Sequence, residues 1–127
     1  MKDPFISVIV VAHDRKQFIV EAVRSVLNQS LNRSHYEVIV VKNFADREID
    51  DFLGENSVVA LFVGEARIGL KLSVAIKKSK GNIISLLEDD DTFSYFKLEV
   101  VYKSFLKVDN LVVYSNDFNL IDRTGKK

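Results

Sequence analysis

The chain has no cysteine and no tryptophan, and its 127 residues include one proline, five glycines and two histidines. Because cysteine is absent, disulfides and thiolate metal sites are excluded, and any metal must be held by oxygen or by His13 or His35. Lysine plus arginine and aspartate plus glutamate number 18 each, so no excess of basic charge indicates nucleic-acid binding. Apolar runs are short and interrupted by polar residues, so none predicts a membrane span.

Hydrophobic residues make up 47% of the chain, which is a globular composition with enough apolar surface for a core. The length fits a single domain over residues 1–127. No small-residue cleavage site follows the apolar run from Phe5 to Ala12, so we predict no signal peptide. We therefore predict a cytoplasmic protein, held at the cytoplasmic face of a membrane if a further segment anchors it.

Apolar, β-branched runs alternate with segments of helical periodicity along the whole chain. Strands are predicted at 5–12, 36–41, 57–63, 82–87 and 111–114, with a short extra one at 118–121. Helices are predicted at 14–27, 46–53, 67–80 and 94–107, with Asp14 as an N-cap and Gly54 closing the second helix. This alternation predicts an α/β fold, a Rossmann-like three-layer α/β/α arrangement with a mainly parallel sheet.

The most informative junction is the run Glu88-Asp89-Asp90-Asp91, which directly follows the apolar strand at 82–87. Adjacent like charges about 4 Å apart repel by about 1 kcal/mol even in bulk water. A positive group is therefore expected at this strand end, and a hard divalent cation is the first candidate. The alternative is that the acids stabilise the next helix through its dipole, each by roughly 0.3–1 kcal/mol. One or two acids would suffice for that role, so four favour a metal site.

Polar residues also follow the first two predicted strands. Ala12-His13-Asp14 stands at the end of the first strand, and Lys42-Asn43 follows the second. Ligands of open α/β sheets bind at the carboxyl ends of the strands, and these ends meet at one edge of a parallel sheet. The sequence therefore predicts one binding site built from these two groups and the four acids.

The order of these motifs resembles the nucleotide-binding half of family 2 glycosyltransferases, which have the GT-A fold. Members open with a strand, a Pro-Thr-Tyr-Asn-Arg-like turn and a helix that ends in Ser-Val-Leu-Asn-Gln-Ser/Thr. Here residues 11–15 read VAHDR and residues 25–30 read SVLNQS. A Lys/Arg-Gly-Asn/Glu-Ile-Ile stretch corresponds to residues 80–84, and the acids 88–91 stand at the metal-binding Asp-x-Asp position. The resemblance covers essentially the whole chain.

This resemblance implies transfer of a sugar from a nucleoside-diphosphate sugar to an acceptor hydroxyl of a glycan, lipid or protein, with inversion. It implies Mn²⁺ or Mg²⁺ as the cofactor that stabilises the departing diphosphate. By the same alignment, Asp90 is expected to ligate the metal, with Asp89 near the ribose and the metal waters. Glu88 is expected to orient the group, and Asp91 to act only as a charge at a helix start.

The resemblance further implies a nucleotide-sugar site at Ala12, His13, Asp14, Lys42, Asn43, Arg67, Lys71, Glu88 and Asp89. His13 is expected to stack on the base, or to be an ordinary loop residue. Asn43 is expected to bond a base edge, and Lys42 either to meet a base carbonyl or to pair with Asp46. Basic groups at a helix start suit phosphate, which is the role expected of Arg67 and Lys71.

Two departures from the family pattern bear on function. Lys42 stands where members have a strand-end acid that contacts the base, so the usual uridine nucleotide is not assured. The segment that carries the acceptor site and general base in members is expected to lie outside residues 1–127. We therefore expect this fragment alone to be inactive in transfer.

Two other functions compete with the glycosyltransferase. A non-catalytic domain that binds a nucleotide sugar would keep the fold, and the substitution at Lys42 favours it. A receiver-type signalling module is also an α/β domain of this size. It would need its phosphoacceptor aspartate after the third strand, where Val63-Gly64 offers none.

Overall fold

A computed structural model describes residues 3–127, and its strands and helices alternate as the sequence predicts. The strands are β1 (Ile6–Ala12), β2 (Tyr36–Lys42), β3 (Val59–Phe62) and β4 (Ile83–Glu88). The α-helices are α1 (Ile19–Leu27), α2 (Arg47–Glu55), α3 (Ile68–Lys78) and α4 (Lys97–Lys107), and a 3-10 turn spans Arg33–His35.

The four strands form one parallel sheet in the order β3-β2-β1-β4. In its register Ala12 pairs with Lys42, and Val11 pairs with Glu88. The residues that follow β1, β2 and β4 therefore emerge side by side at one edge of the sheet. This edge is the one on which the sequence places the candidate site.

Helices cover both faces of the sheet, so the predicted three-layer α/β/α arrangement is confirmed. On one face, buried residues of α1, α2 and α4 pack with alternate residues of the strands, such as Val8 and Val40. On the other face, Ala75 of α3 packs with Ile9, Ile39 and Val41. Strands buried on both sides account for the nearly continuous apolar runs of β1 and β2.

The prediction of a fifth strand is wrong for the described residues, and so is the short extra strand at 118–121. Leu111 and Tyr114 pack against the cluster formed with α1, α2 and α4, and among the described residues their segment pairs with no strand of the sheet. Val112 and Val113 consequently remain 83% and 73% exposed. β-branched composition alone does not provide a neighbouring strand to pair with.

Three predicted helix ends also differ from the structure. Asp14 is not an N-cap, because its φ of 56° is left-handed and α1 begins only after Phe18. Gly54 lies inside α2, which continues to Glu55. The last helix begins at Lys97 rather than near residue 94, because the loop before it is hydrogen-bonded to the end of α1.

Candidate functional site

The four acids at the end of β4 are divided into two groups by the structure. Glu88, Asp90 and Asp91 are solvent-accessible, and each offers a carboxylate oxygen within 4.8 Å of the others. The chain reverses here, with the Asp91 amide donating to the Glu88 carbonyl over 3.1 Å. Partial desolvation, followed by the charges of Asp90 and Asp89, raises the pKa of Asp91. Three converging carboxylates are a donor set that suits Mg²⁺ or Mn²⁺.

Asp89 belongs to the second group, because it is turned inward and bound by Arg15. The Arg15 Nε donates to Asp89 Oδ2 over 2.9 Å, and its terminal nitrogen donates to Oδ1 over 2.8 Å. That terminal nitrogen also lies 3.2 Å from Asp90 Oδ2. The hydrogen bonds and charge of Asp89 raise the pKa of Arg15 above its usual value. The predicted metal role of Asp89 remains a prediction, and both of its oxygens are engaged by Arg15.

Arg15 is the site residue that the sequence analysis missed. It stands in the turn motif, but no role was predicted for it. The signal was present: a cation three residues past the end of the first strand shares its sheet edge with four acids, and such charges attract.

His13 is held between a cation and an anion at the end of β1. The Lys71 Nζ lies 2.5 Å from His13 Nδ1 and 3.4 Å from the Ala12 carbonyl oxygen. On the other side of the ring, His13 Nε2 lies 3.1 Å from Asp14 Oδ2. Lys71 is fully buried, and this burial lowers its pKa, although the charges of Asp14, Asp89 and Glu65 oppose the effect. The structure thus brings four of the predicted residues together: Ala12, His13, Asp14 and Lys71.

Asp14 and Asn43 form a reciprocal pair between the ends of β1 and β2. The Asp14 amide donates to Asn43 Oδ1, and Asn43 Nδ2 donates to Asp14 Oδ1, each over 2.7 Å. Aspartate tolerates the left-handed conformation that this turn requires. The carboxylate predicted to cap a helix instead joins two strand ends.

Lys42 is buried and its ammonium contacts α2. Its Nζ lies 2.7 Å from Asp50 Oδ1 and donates to the Phe44 carbonyl over 2.5 Å. The predicted pair with Asp46 is therefore wrong, because Asp46 caps α2 and pairs with Lys16 at 3.3 Å. The contact of Lys42 with a nucleotide remains a prediction.

The Arg67 backbone carbonyl accepts from the Lys71 amide over 3.4 Å, but the Arg67 side chain faces solvent. It is 77% exposed and pairs with Glu65, and it precedes the first residue of α3. Its expected contact with phosphate remains a prediction. Lys71, one turn further along α3, is the member of the pair that reaches the end of β1.

The loop that carries the acids is fastened to the end of α1. Ser25 Oγ accepts from the Phe93 amide over 3.0 Å, and Gln29 Oε1 accepts from the Leu98 amide over 2.9 Å. Gln29 Nε2 also donates to the Ser94 carbonyl over 2.8 Å. The SVLNQS motif thus positions the segment between β4 and α4.

The sequence pattern of glycosyl transferase family 2 matches residues 7–126, and the chain belongs to this family. It is 29% identical over 131 residues to an uncharacterized glycosyltransferase of Rickettsia bellii, covering 99% of this chain and 18% of that protein. It is 26% identical over 127 residues to the O-antigen biosynthesis glycosyltransferase WbnJ of Escherichia coli, covering 95% of this chain and 49% of that protein. The chain therefore spans between about a fifth and a half of the length of these relatives.

Solved structures of glycosyltransferases share the fold. S. aureus TarS 1–349 in complex with UDP-GlcNAc superposes with a TM-score of 0.71 at 20% identity, over 87% of this chain and 37% of that one. The mannosyltransferase PcManGT from Pyrobaculum calidifontis, in complex with GDP-Man and Mn²⁺, superposes with a TM-score of 0.68 at 16% identity, over 85% of this chain and 34% of that one. The predicted GT-A fold is confirmed. Among residues 3–127, no helix has the length and apolar character needed to cross a membrane.

Proposed function

We propose that this chain forms the donor-binding part of a metal-dependent, inverting glycosyltransferase. Its substrate would be a nucleoside-diphosphate sugar, and its acceptor a hydroxyl group of a glycan, lipid or protein. One observation carries the proposal: Glu88, Asp90 and Asp91 converge at the sheet edge where the turn after β1 also lies.

Glu88, Asp90 and Asp91 would hold the divalent cation, Mn²⁺ or Mg²⁺. When bound, this cation would neutralise the charge that develops on the departing diphosphate. PcManGT, which shares the fold, is in complex with GDP-Man and Mn²⁺, and this supports a divalent cation as the cofactor. TarS, which also shares the fold, is in complex with UDP-GlcNAc, and this supports a nucleotide sugar as the substrate.

The nucleoside would lie against the turn after β1. His13 is half-buried and fixed on both sides, so its ring would offer an ordered surface for a base. Asn43 would reach a base edge only after exchanging its bonds with Asp14. The single domain over residues 1–127 and the cytoplasmic location remain predictions.

A thermal-shift experiment tests the proposal. UDP, GDP and dTDP are each added with and without Mn²⁺, and at least one is expected to raise the melting temperature only with Mn²⁺. Asp90→Asn should lose this shift, and Asp51→Asn should keep it because Asp51 lies on α2 and pairs with Arg47. If none of the three nucleotides produces a Mn²⁺-dependent shift, the proposal fails.

A non-catalytic nucleotide-sugar-binding domain is the second candidate. It is favoured by Lys42, whose ammonium is bound to Asp50 where members have an acid facing the base. Assays of sugar transfer and of sugar-nucleotide hydrolysis separate the two candidates, because only the enzyme would turn over its donor. A receiver-type module is disfavoured, since Val63 and Gly64 follow β3, and acetyl phosphate is expected to label nothing.

A further inference from the structure

We propose that Arg15 is a positioning residue that keeps Asp89 out of the metal group and competes with the divalent cation for Asp90. This inference rests on the proposed function, because it concerns the same cation site. It assigns unequal roles to the four adjacent acids.

The contact between Arg15 and Asp89 is a bidentate ion pair. Two nitrogens of one guanidinium meet two oxygens of one carboxylate, over 2.9 and 2.8 Å. Such bidentate pairs are among the strongest hydrogen-bonded contacts in proteins, because the planar fork matches the carboxylate. The Asp89 side chain is only 7% exposed, so water competes little for it. A metal would therefore have to compete with Arg15 for either oxygen of Asp89.

The contact between Arg15 and Asp90 is of a different kind. It is a single approach of 3.2 Å to one oxygen, and the Asp90 side chain is 39% exposed. The same Asp90 carboxylate offers an oxygen to the group with Glu88 and Asp91. This longer, solvent-accessible contact can be exchanged for a metal while the pair with Asp89 persists.

Arg15 also supplies the positive charge that the acids need when no metal is bound. Within residues 3–127, it is the cation that forms ion pairs with the acids at 88–91. A metal that binds Glu88, Asp90 and Asp91 must therefore bind close to the positive charge of Arg15. It must also displace Arg15 from Asp90. Removal of that charge should strengthen metal binding in the absence of nucleotide.

Mn²⁺ binding to the whole chain, measured from the EPR signal of the free ion, tests this competition. Arg15→Met is expected to bind Mn²⁺ about three- to tenfold more tightly than the wild type, since one nearby repulsive charge is lost. Lys16→Met is the matched control: it removes the same charge one residue away, but Lys16 pairs with Asp46. Its Mn²⁺ affinity should stay close to that of the wild type, because the Lys16 charge is paired with Asp46 beside α2. Unchanged or weaker binding by Arg15→Met would overturn the inference.

A second measurement uses the wild-type protein, so it does not depend on the folding of a variant. On titration with Mg²⁺, the carboxyl carbon resonance of Asp90 should shift while that of Asp89 stays in place. The Arg15 Nε–H resonance should remain protected from exchange. Movement of the Asp89 resonance together with loss of that protection would overturn the inference.

The failures of the two proposals are distinguishable. If the wild type binds Mn²⁺ with a nucleoside diphosphate but Arg15→Met gains no affinity, the inference alone fails. If neither protein binds Mn²⁺ under any of these conditions, the inference fails together with the proposed function.

Discussion

Lys71 reaches from α3 to the turn after β1 and places its buried Nζ 2.5 Å from Nδ1 of His13. With the ammonium as donor, Nδ1 is the acceptor, and the proton of the neutral ring lies on Nε2, which faces Asp14. The tautomer and orientation of His13 are therefore set from both sides. A ring fixed in this way needs no reordering when a ligand arrives.

Replacement of Lys71 by methionine is predicted to stabilise the fold near neutral pH. A buried charge is costly, and methionine fills a similar volume without one. His13 is half-buried, so water can replace the lost donor. Chemical unfolding at pH 7 checks the direction, with the exposed Lys77→Met as the control, for which no change is expected. A Lys71→Met protein less stable than the wild type would contradict this account of the burial.

The same pair of proteins should differ in pH dependence. Burial lowers the folded-state pKa of Lys71, so between that value and the usual lysine pKa of about 10.4 the unfolded chain binds more protons. The stability contributed by this group therefore rises with pH across that window. The advantage of Lys71→Met should be largest at pH 7 and shrink as the pH approaches about 10. Parallel stability curves for the two proteins would contradict the lowered pKa.

The side-chain bond from Asn43 Nδ2 to Asp14 Oδ1 should appear as a coupling energy, whereas the bond donated by the Asp14 backbone amide persists in Asp14→Ala. In a double-mutant cycle with Asp14→Ala and Asn43→Ala, the two effects on the free energy of unfolding should fail to add by about 0.5–1 kcal/mol. Urea unfolding of the four proteins measures this term. Additive effects would mean that the two residues act independently in solution.

Any side chain at position 81 in place of Gly81 is predicted to destabilise the fold. A Cβ there would lie 2.6 Å from the Ser7 amide nitrogen and 2.7 Å from the Phe5 carbonyl oxygen, so the backbone of β1 would have to move. Gly81→Ala should therefore cost about 1–3 kcal/mol of stability. Gly54→Ala is the matched control, since it lies in α2 with open space around it and should be neutral or stabilising by up to about 1 kcal/mol. Equal effects at both glycines would rule out the steric explanation.

Gln29 is predicted to hold the acid-bearing loop in place. Gln29→Ala removes bonds to the Leu98 amide and the Ser94 carbonyl, which should cost about 1–2 kcal/mol and speed hydrogen exchange at Leu98. Asn28→Ala is the control, because Asn28 is the exposed neighbour whose backbone caps α1. Unchanged exchange at Leu98 in the Gln29 variant would contradict the anchoring role.

Much of the fold follows from patterns that are local in the sequence. Apolar runs of strand length identify β1, β2 and β4, and the intervening helices enforce parallel connections. Parallel connections in turn bring the residues after β1, β2 and β4 to one edge. The location of the candidate site was therefore predictable before any side chain was placed.

The pairing of side chains within the site was not predictable in this way. Arg15 and Asp89 are separated by 74 positions, and the choice of Asp89 over its three acidic neighbours depends on which carboxylates the turn directs inward. Asp14 fitted the spacing of a helix cap, yet its partner Asn43 lies 29 residues away on another strand end. Sequence spacing indicates which side chains can interact within one helix or strand. It does not indicate which side chains of different elements will pair.

Calorimetric titration of a nucleoside diphosphate, with and without Mn²⁺, is the most direct test of the central claim. The nucleotide is the one selected by thermal shift, and the proteins are the wild type, Asp90→Ala and the control Asp51→Ala. The account predicts binding by the wild type and by Asp51→Ala that requires Mn²⁺, and loss of this binding in Asp90→Ala. Binding of equal affinity without Mn²⁺, or intact Mn²⁺-dependent binding by Asp90→Ala, would contradict a metal site at the end of β4.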